Sequence, residues 1–135
     1  METASRPFES DMANRLKPLI LVVDDEPDIR IILRRLLERL DYVVDEAASG
    51  AEALTKAMEK RPDGILMDQQ LPDFAGYEVH LHLVQLGVRI PTALMSGYPA
   101  VDQLARAAGI RHFLAKPTSY EKVEAFMTEL LSPQT

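Results

Sequence analysis

The chain contains no cysteine. That excludes disulfide scaffolds and thiolate metal centres, and it fits a reducing compartment. Positive charge is in deficit, with 15 Lys and Arg against 21 Asp and Glu for a net charge of −6, a balance that disfavours nonspecific binding to nucleic acid. No apolar run approaches the roughly 18 residues needed to cross a bilayer, and the N-terminus lacks the basic-then-apolar pattern of a secretion signal. Neither an internal repeat nor a linker divides the chain. These absences leave a single cytoplasmic domain as the expectation, and 135 residues are enough to bury one sizeable core.

What is present is organised around Asp63-Gly64-Ile65-Leu66-Met67-Asp68-Gln69-Gln70-Leu71-Pro72-Asp73-Phe74-Ala75-Gly76. Ile65 to Met67 are apolar at every position, the pattern of a strand covered on both faces. Asp68 follows at its carboxyl end, where a carboxylate is costly unless a cation or hydrogen bonds hold it. The same pattern recurs at Pro18 to Val23, which runs into Asp24-Asp25-Glu26, and at Ile90 to Met95, which runs into Ser96-Gly97. Short strands are also expected at Tyr42 to Ala47 and at His112 to Ala115, the latter followed by Lys116-Pro117.

Helical patterns fill the intervals. Pro27 opens one that runs to Leu40, with Ile29, Ile32, Leu33, Leu36, Leu37 and Leu40 on one face. Ser49 with Glu52 forms a capping signal for a helix to about Lys60, with Ala53, Leu54, Ala57 and Met58 inward. Gly76 to Leu86 reads as a helix with two apolar stripes. Val79, Leu83 and Leu86 form one stripe and Tyr77, Leu81 and Val84 the other, nearly opposite, and a helix on the outside of a sheet buries only one of them. Pro99 to Gly109 and Tyr120 to Leu131 complete the set, the last with Val123, Phe126, Met127, Leu130 and Leu131 inward. Five strands alternating with five helices predict an α/β fold with a parallel sheet covered on both faces.

In a parallel sheet the strand ends of one kind share an edge, so Asp24, Asp25, Asp68, Ser96 and Lys116 converge. Several carboxylates cannot stay ionised close together without cations. Lys116 supplies one positive charge, and a hard divalent ion, Mg²⁺ by preference, supplies more. A hydroxyl, an ammonium and Mg²⁺ around one carboxylate make a receiving site for a phosphoryl group, with Asp68 as nucleophile.

With these residues in order, Val22-Val23-Asp24-Asp25-Glu26, Asp68-x-x-Leu71-Pro72-x-x-x-Gly76, Ser96 and Lys116-Pro117, the chain resembles a response-regulator receiver domain of two-component signalling. The resemblance covers residues 18–131 and leaves 1–17 as a flexible extension and 132–135 as a tail. It implies a flavodoxin-like (βα)5 fold with strand order 2-1-3-4-5. It also implies Asp68 as the phosphoacceptor, and Asp25 as direct Mg²⁺ ligand with Asp24 assisting. The Gln70 backbone carbonyl is implied as a further ligand. By the same resemblance Ser96 hydrogen-bonds the phosphoryl group, Lys116 pairs with it, and Phe113 turns inward as a conformational switch when Ser96 shifts. The match at Glu78-Val79 implies that Val79, Leu83 and Leu86 face the core, which leaves Tyr77, Leu81 and Val84 exposed as a surface for a homodimer mate or protein partner. The implied partners are a sensor histidine kinase or histidine phosphotransfer protein upstream and a protein downstream, with no nucleic acid and no membrane.

Two departures stand out. Ala75 replaces the Asp or Asn usual before the glycine, removing a helix cap worth about 1 kcal/mol and putting the rigidity of the loop in question. The strand at His112 to Ala115 lacks the paired acids of the large DNA-binding subfamily, which, with no downstream domain in the sequence, argues against a transcription factor. A pseudo-receiver acting only as an interaction module is the alternative, and the complete acid set with Lys116 speaks against it. An aspartate-nucleophile phosphatase would want an acid at Gln70, and a flavin site would find Asp24-Asp25-Glu26 repulsive to its phosphate.

Overall fold

In the computed structural model, which describes residues 17–96, 101–115 and 120–131, strands and helices alternate as the sequence predicts. The strands are β1 (Leu19–Val23), β2 (Val43–Ala47), β3 (Gly64–Asp68), β4 (Thr92–Ser96) and β5 (His112–Ala115). The helices are α1 (Pro27–Arg39), α2 (Gly50–Lys60), α3 (Gly76–Gln85), α4 (Val101–Ala107) and α5 (Tyr120–Leu130). Residues 1–16 and 132–135 lie outside the described residues, as do the predicted helix start at Pro99 and the Lys116-Pro117 pair. The sheet is wholly parallel in the order β2-β1-β3-β4-β5, the doubly wound arrangement expected.

The two faces of the sheet follow from side-chain alternation along each strand. Ile20 and Val22 of β1, Leu66 of β3 and Met95 of β4 pack with Leu33 and Leu37 of α1 and Val123, Met127 and Leu130 of α5. Leu21, Val23, Ile65, Met67 and Leu94 point the other way and pack with Ala53 and Ala57 of α2, Val79 and Leu83 of α3 and Ala105 of α4. Every residue of β3 is buried. β3 and its neighbours β1 and β4 hold the middle of the sheet, where burying each Leu or Ile is worth about 1.5–3 kcal/mol.

Four expectations need correction. Ile32 and Met58 are exposed rather than inward. On α1 the fully buried stripe is only Leu33 and Leu37, one turn apart, and Ile32 lies about 100° round the helix from Leu33. Leu86 is also exposed, at 59%. It is the C-cap of α3, followed by Gly87 at φ +79, so the chain turns away and Val88 takes the buried place instead. The stripe of Tyr77, Leu81 and Val84 is half-buried, not exposed, because α3 lies beside α2 as well as over the sheet and Tyr77 packs against the core. β4 begins at Thr92 rather than Ile90. Pro91 precedes it and accepts the Ile65 N–H at 2.9 Å, but it has no N–H of its own to extend the ladder.

Charge is concentrated on β2. Glu46 pairs with Arg30 at 3.0 Å and with Arg34 on the α1 side. Asp45 pairs with Lys56 at 3.2 Å and Lys60 at 3.1 Å on the α2 side. The Arg34 bond, then Arg30, holds the Glu46 carboxyl below its usual range against partial burial. Burial opposes the charge of Asp45, yet Lys60, the Glu46 N–H and Lys56 together hold it low as well. A depressed folded pKa means that the unfolded chain binds the proton first. The stabilisation is therefore complete above the unfolded carboxylate pKa of about 4 and is lost as the pH falls through the folded value. Urea midpoints measured over a descending pH series are expected to fall in that acid window, and Glu46→Gln is expected to flatten part of the fall. An unaltered pH profile in that variant would show that the Glu46 pairs contribute nothing measurable.

Candidate functional site

The ladder places Val23 opposite Met67 and Asp68 opposite Met95, so the residues after β1 and at the end of β3 reach the same edge at the same height. Asp24 is wholly buried there. Its N–H donates to Ala47 O at 3.1 Å, extending the β1–β2 pairing by one residue. Its Oδ1 accepts the Glu26 N–H at 2.9 Å, and its carbonyl accepts from Arg30 Nη1 at 2.6 Å. These bonds shape the turn into α1, whose first residue is Pro27. Asp25 between them is exposed.

Asp68 is 8% exposed. Its Oδ1 accepts the Gln70 N–H at 3.2 Å, which fixes the rotation of the carboxylate. One carboxylate oxygen from each of Asp24, Asp25 and Asp68 lies within 4.8 Å of the others. At an effective dielectric constant near 20, each pair of full charges at such a separation repels by roughly 3 kcal/mol. The donor set is three hard oxygens on a rigid sheet edge, which suits a small divalent cation such as Mg²⁺ and has no feature of a soft-metal site.

The other predicted site residues are distributed as follows. Ser96 ends β4 with its backbone opposite Ala115; its side chain is outside the described residues, as is Lys116. The Gln70 side chain is exposed, while its backbone forms an isolated bridge with Ala75 across the mouth of the loop. Phe113 is half-buried against the core, with the guanidinium carbon of Arg106 4.6 Å from its ring centroid. His80 Nδ1 lies 3.3 Å from Thr92 Oγ1, and His82 lies beside the Phe74 ring.

Two residues that the sequence reading passed over hold the loop after β3. Gln69 is 5% exposed. Its N–H donates to Met95 O at 3.0 Å and its carbonyl accepts the Gly76 N–H at 2.7 Å, while its side-chain Oε1 accepts the Tyr77 N–H at 3.2 Å. Asp73 accepts the Gly50 and Ala51 N–H groups at the start of α2, at 2.8 and 2.9 Å. Those backbone bonds, Ala51 first, keep its carboxyl below the usual range. The one available signal for Gln69 was polarity where the strand pattern demands burial. For Asp73 there was none, since its partners are more than 20 residues away.

A family model described as the response regulator receiver domain matches residues 20–128. The transcriptional regulatory protein PrrA of Mycobacterium tuberculosis is 34% identical over 116 residues, covering 84% of this chain and 50% of that protein. The response regulator MprA of Mycobacterium ulcerans is 35% identical over 114 residues, covering 83% of this chain and 49% of that protein. The chain thus spans about half the length of the curated relatives it matches. Among solved structures, the chemotaxis protein CheY4 of Vibrio cholerae superposes with a TM-score of 0.80 at 28% identity, covering 85% of this chain and 99% of that one.

Proposed function

Since this chain belongs to the response regulator receiver domain family, we propose that it accepts a phosphoryl group from a phosphohistidine onto Asp68 and signals the event to a protein partner. The observation that carries the proposal is the meeting of Asp24, Asp25 and Asp68 at one strand edge, with oxygens within 4.8 Å of one another. The unit that acts is taken as residues 18–131.

A carboxylate oxygen of Asp68 attacks the phosphorus of the donor. An O–P bond forms as the N–P bond breaks, and the imidazole leaves with the electron pair and takes a proton from solvent. Asp68 becomes an acyl phosphate. The Gln70 N–H at 3.2 Å orients the attacking carboxylate, and near-complete burial of Asp68 limits the rotamers it can adopt. Asp25 and Asp68, the Gln70 carbonyl and, in support, Asp24 would hold Mg²⁺, which when bound supplies positive charge beside the phosphoryl oxygens. Lys116 pairs with one of those oxygens and the Ser96 hydroxyl donates to another. Movement of Ser96 toward the phosphoryl group opens room for Phe113 to turn inward, and the surface around β5 changes with it. That turn must first break the Arg106 contact over the ring, a cation–π interaction of about 0.5–1 kcal/mol.

The donor is a sensor kinase or a histidine phosphotransfer protein, and the recipient of the signal is a protein. Net charge −6 makes this domain itself a poor ligand for nucleic acid. No described helix is long and apolar enough to cross a membrane.

The test is to mix the chain with a phosphorylated histidine phosphotransfer protein, with Mg²⁺ or with excess EDTA. Label is expected to leave the histidine and appear on the chain only in the first case. Label that stays on the donor while the two proteins still associate would replace this reading by that of a pseudo-receiver.

A further inference from the structure

The helix that follows the active-site loop begins on a residue that cannot cap it. Ala75 occupies the N-cap of α3 in extended backbone, φ −73 and ψ 148, and has no side-chain acceptor. The first helical N–H groups are nevertheless all engaged. Gly76 N–H donates to the Gln69 carbonyl at 2.7 Å, Glu78 N–H to the Ala75 carbonyl at 2.9 Å, and Tyr77 N–H to Gln69 Oε1 at 3.2 Å. The Ala75 N–H itself is taken by the Glu78 carboxylate at 2.8 Å. A residue at the end of β3 thus does, from across the loop, what an Asp or Ser at position 75 does locally in other helices.

The alternation of extended backbone explains how one short segment serves two ends. Asp68 and Gln70 lie two residues apart and both engage the site, the second through its N–H to Asp68 Oδ1 at 3.2 Å. Gln69 between them points the other way, into the start of α3. Its own N–H is tied to Met95 of β4 at 3.0 Å, and its side chain is buried. Gln69 therefore has no freedom to turn without moving the peptide groups on either side of it, and those are the groups that orient Asp68 and Gln70.

We propose that Gln69 is a positioning residue for the phosphoacceptor site. By capping α3 across the loop through its side-chain amide, it fixes the peptides flanking Asp68 and so sets the site's affinity for its metal ion. The proposal rests on the reading of the acidic cluster as a Mg²⁺ site.

Gln69→Met keeps the length of the side chain and removes the acceptor. Its Mg²⁺ affinity, measured by calorimetry, is expected to fall about tenfold, and the Tyr77 amide is expected to exchange with solvent faster than in the native chain. Ala75→Asp alone is expected to change neither, since the amide already has its acceptor. Added to Gln69→Met, it restores the cap locally and is expected to return both readings close to native, a non-additivity that simple loss of packing does not produce.

If Gln69→Met fails to fold, native-chain exchange decides. Tyr77 N–H protected like the amides of the next turn supports the cap, and free exchange overturns it. Native-like Mg²⁺ affinity in Gln69→Met, or a loss that Ala75→Asp leaves unrepaired, overturns the positioning role while leaving the metal site intact. A native chain that binds no Mg²⁺ overturns the metal site, and the positioning role with it.

Discussion

Asp68→Asn is expected to take labelling by acetyl phosphate in Mg²⁺ from one phosphoryl group per chain to none, read by intact mass. The amide offers no nucleophilic oxygen anion, and no other described carboxylate shares its position. Asp24 is wholly buried with an oxygen committed to Glu26 N–H, and Asp25 is exposed. The fold should not suffer. The substitution removes one of three like charges whose oxygens lie within 4.8 Å, so in metal-free buffer the melting temperature is expected to hold or rise. That second measurement separates lost chemistry from lost structure. Equal labelling of both proteins would place the phosphoacceptor elsewhere.

Gly76→Ala is expected to be the most damaging single methyl in the site, costing about 2–3 kcal/mol. A Cβ there lies 2.7 Å from the Asp68 carbonyl oxygen and 2.8 Å from Leu94 Cδ2. Leu94 can adjust, but the Asp68 carbonyl cannot, because Asp68 is a backbone position paired with Met95 in the centre of the sheet. Alanine gains at most about 1 kcal/mol over glycine from helix propensity, less at a first helical residue, so the clash wins. The start of α3 must then move outward, stretching the 2.7 Å bond from Gly76 N–H to Gln69 O. Urea unfolding should show the lower stability, and phosphorylation by acetyl phosphate should slow with it. A loss below about 0.5 kcal/mol, the range of ordinary surface substitutions, would mean that the loop yields more easily than its bonds suggest.

The contrast between Asp68 and Gln69 shows what a sequence makes legible. Asp68 stands out because three apolar residues end abruptly on a charge, and the same break after Val23 marks Asp24 and Asp25. Strand order then brings them together, and that order came from the resemblance rather than from any local pattern. Gln69 is next door and passed unnoticed, because its partner is Tyr77 on the next helix and no periodicity encodes such a reach. For that reason the sequence alone presents Ala75 as a lost cap that loosens the loop, whereas the donors it leaves are satisfied from elsewhere. The misplaced apolar residues have a simpler cause. A helical wheel tells Leu33 from Arg35 with ease, but Ile32 sits at the margin, and how far a neighbouring helix extends cover over that margin is a tertiary matter.

The ion pairs on β2 have a bearing on how copies of this chain treat one another when crowded. β2 and β5 are the outer strands of an open sheet, and an outer strand is a template on which a foreign strand can add and begin a fibril. β2 is only five residues long, and its Asp45 and Glu46 are clasped by lysines on one side and arginines on the other. An incoming strand would have to lie against that charged margin and dehydrate it, at a cost that backbone pairing over so short a length does not easily recover. The clasp thus raises the cost of cross-β addition at β2.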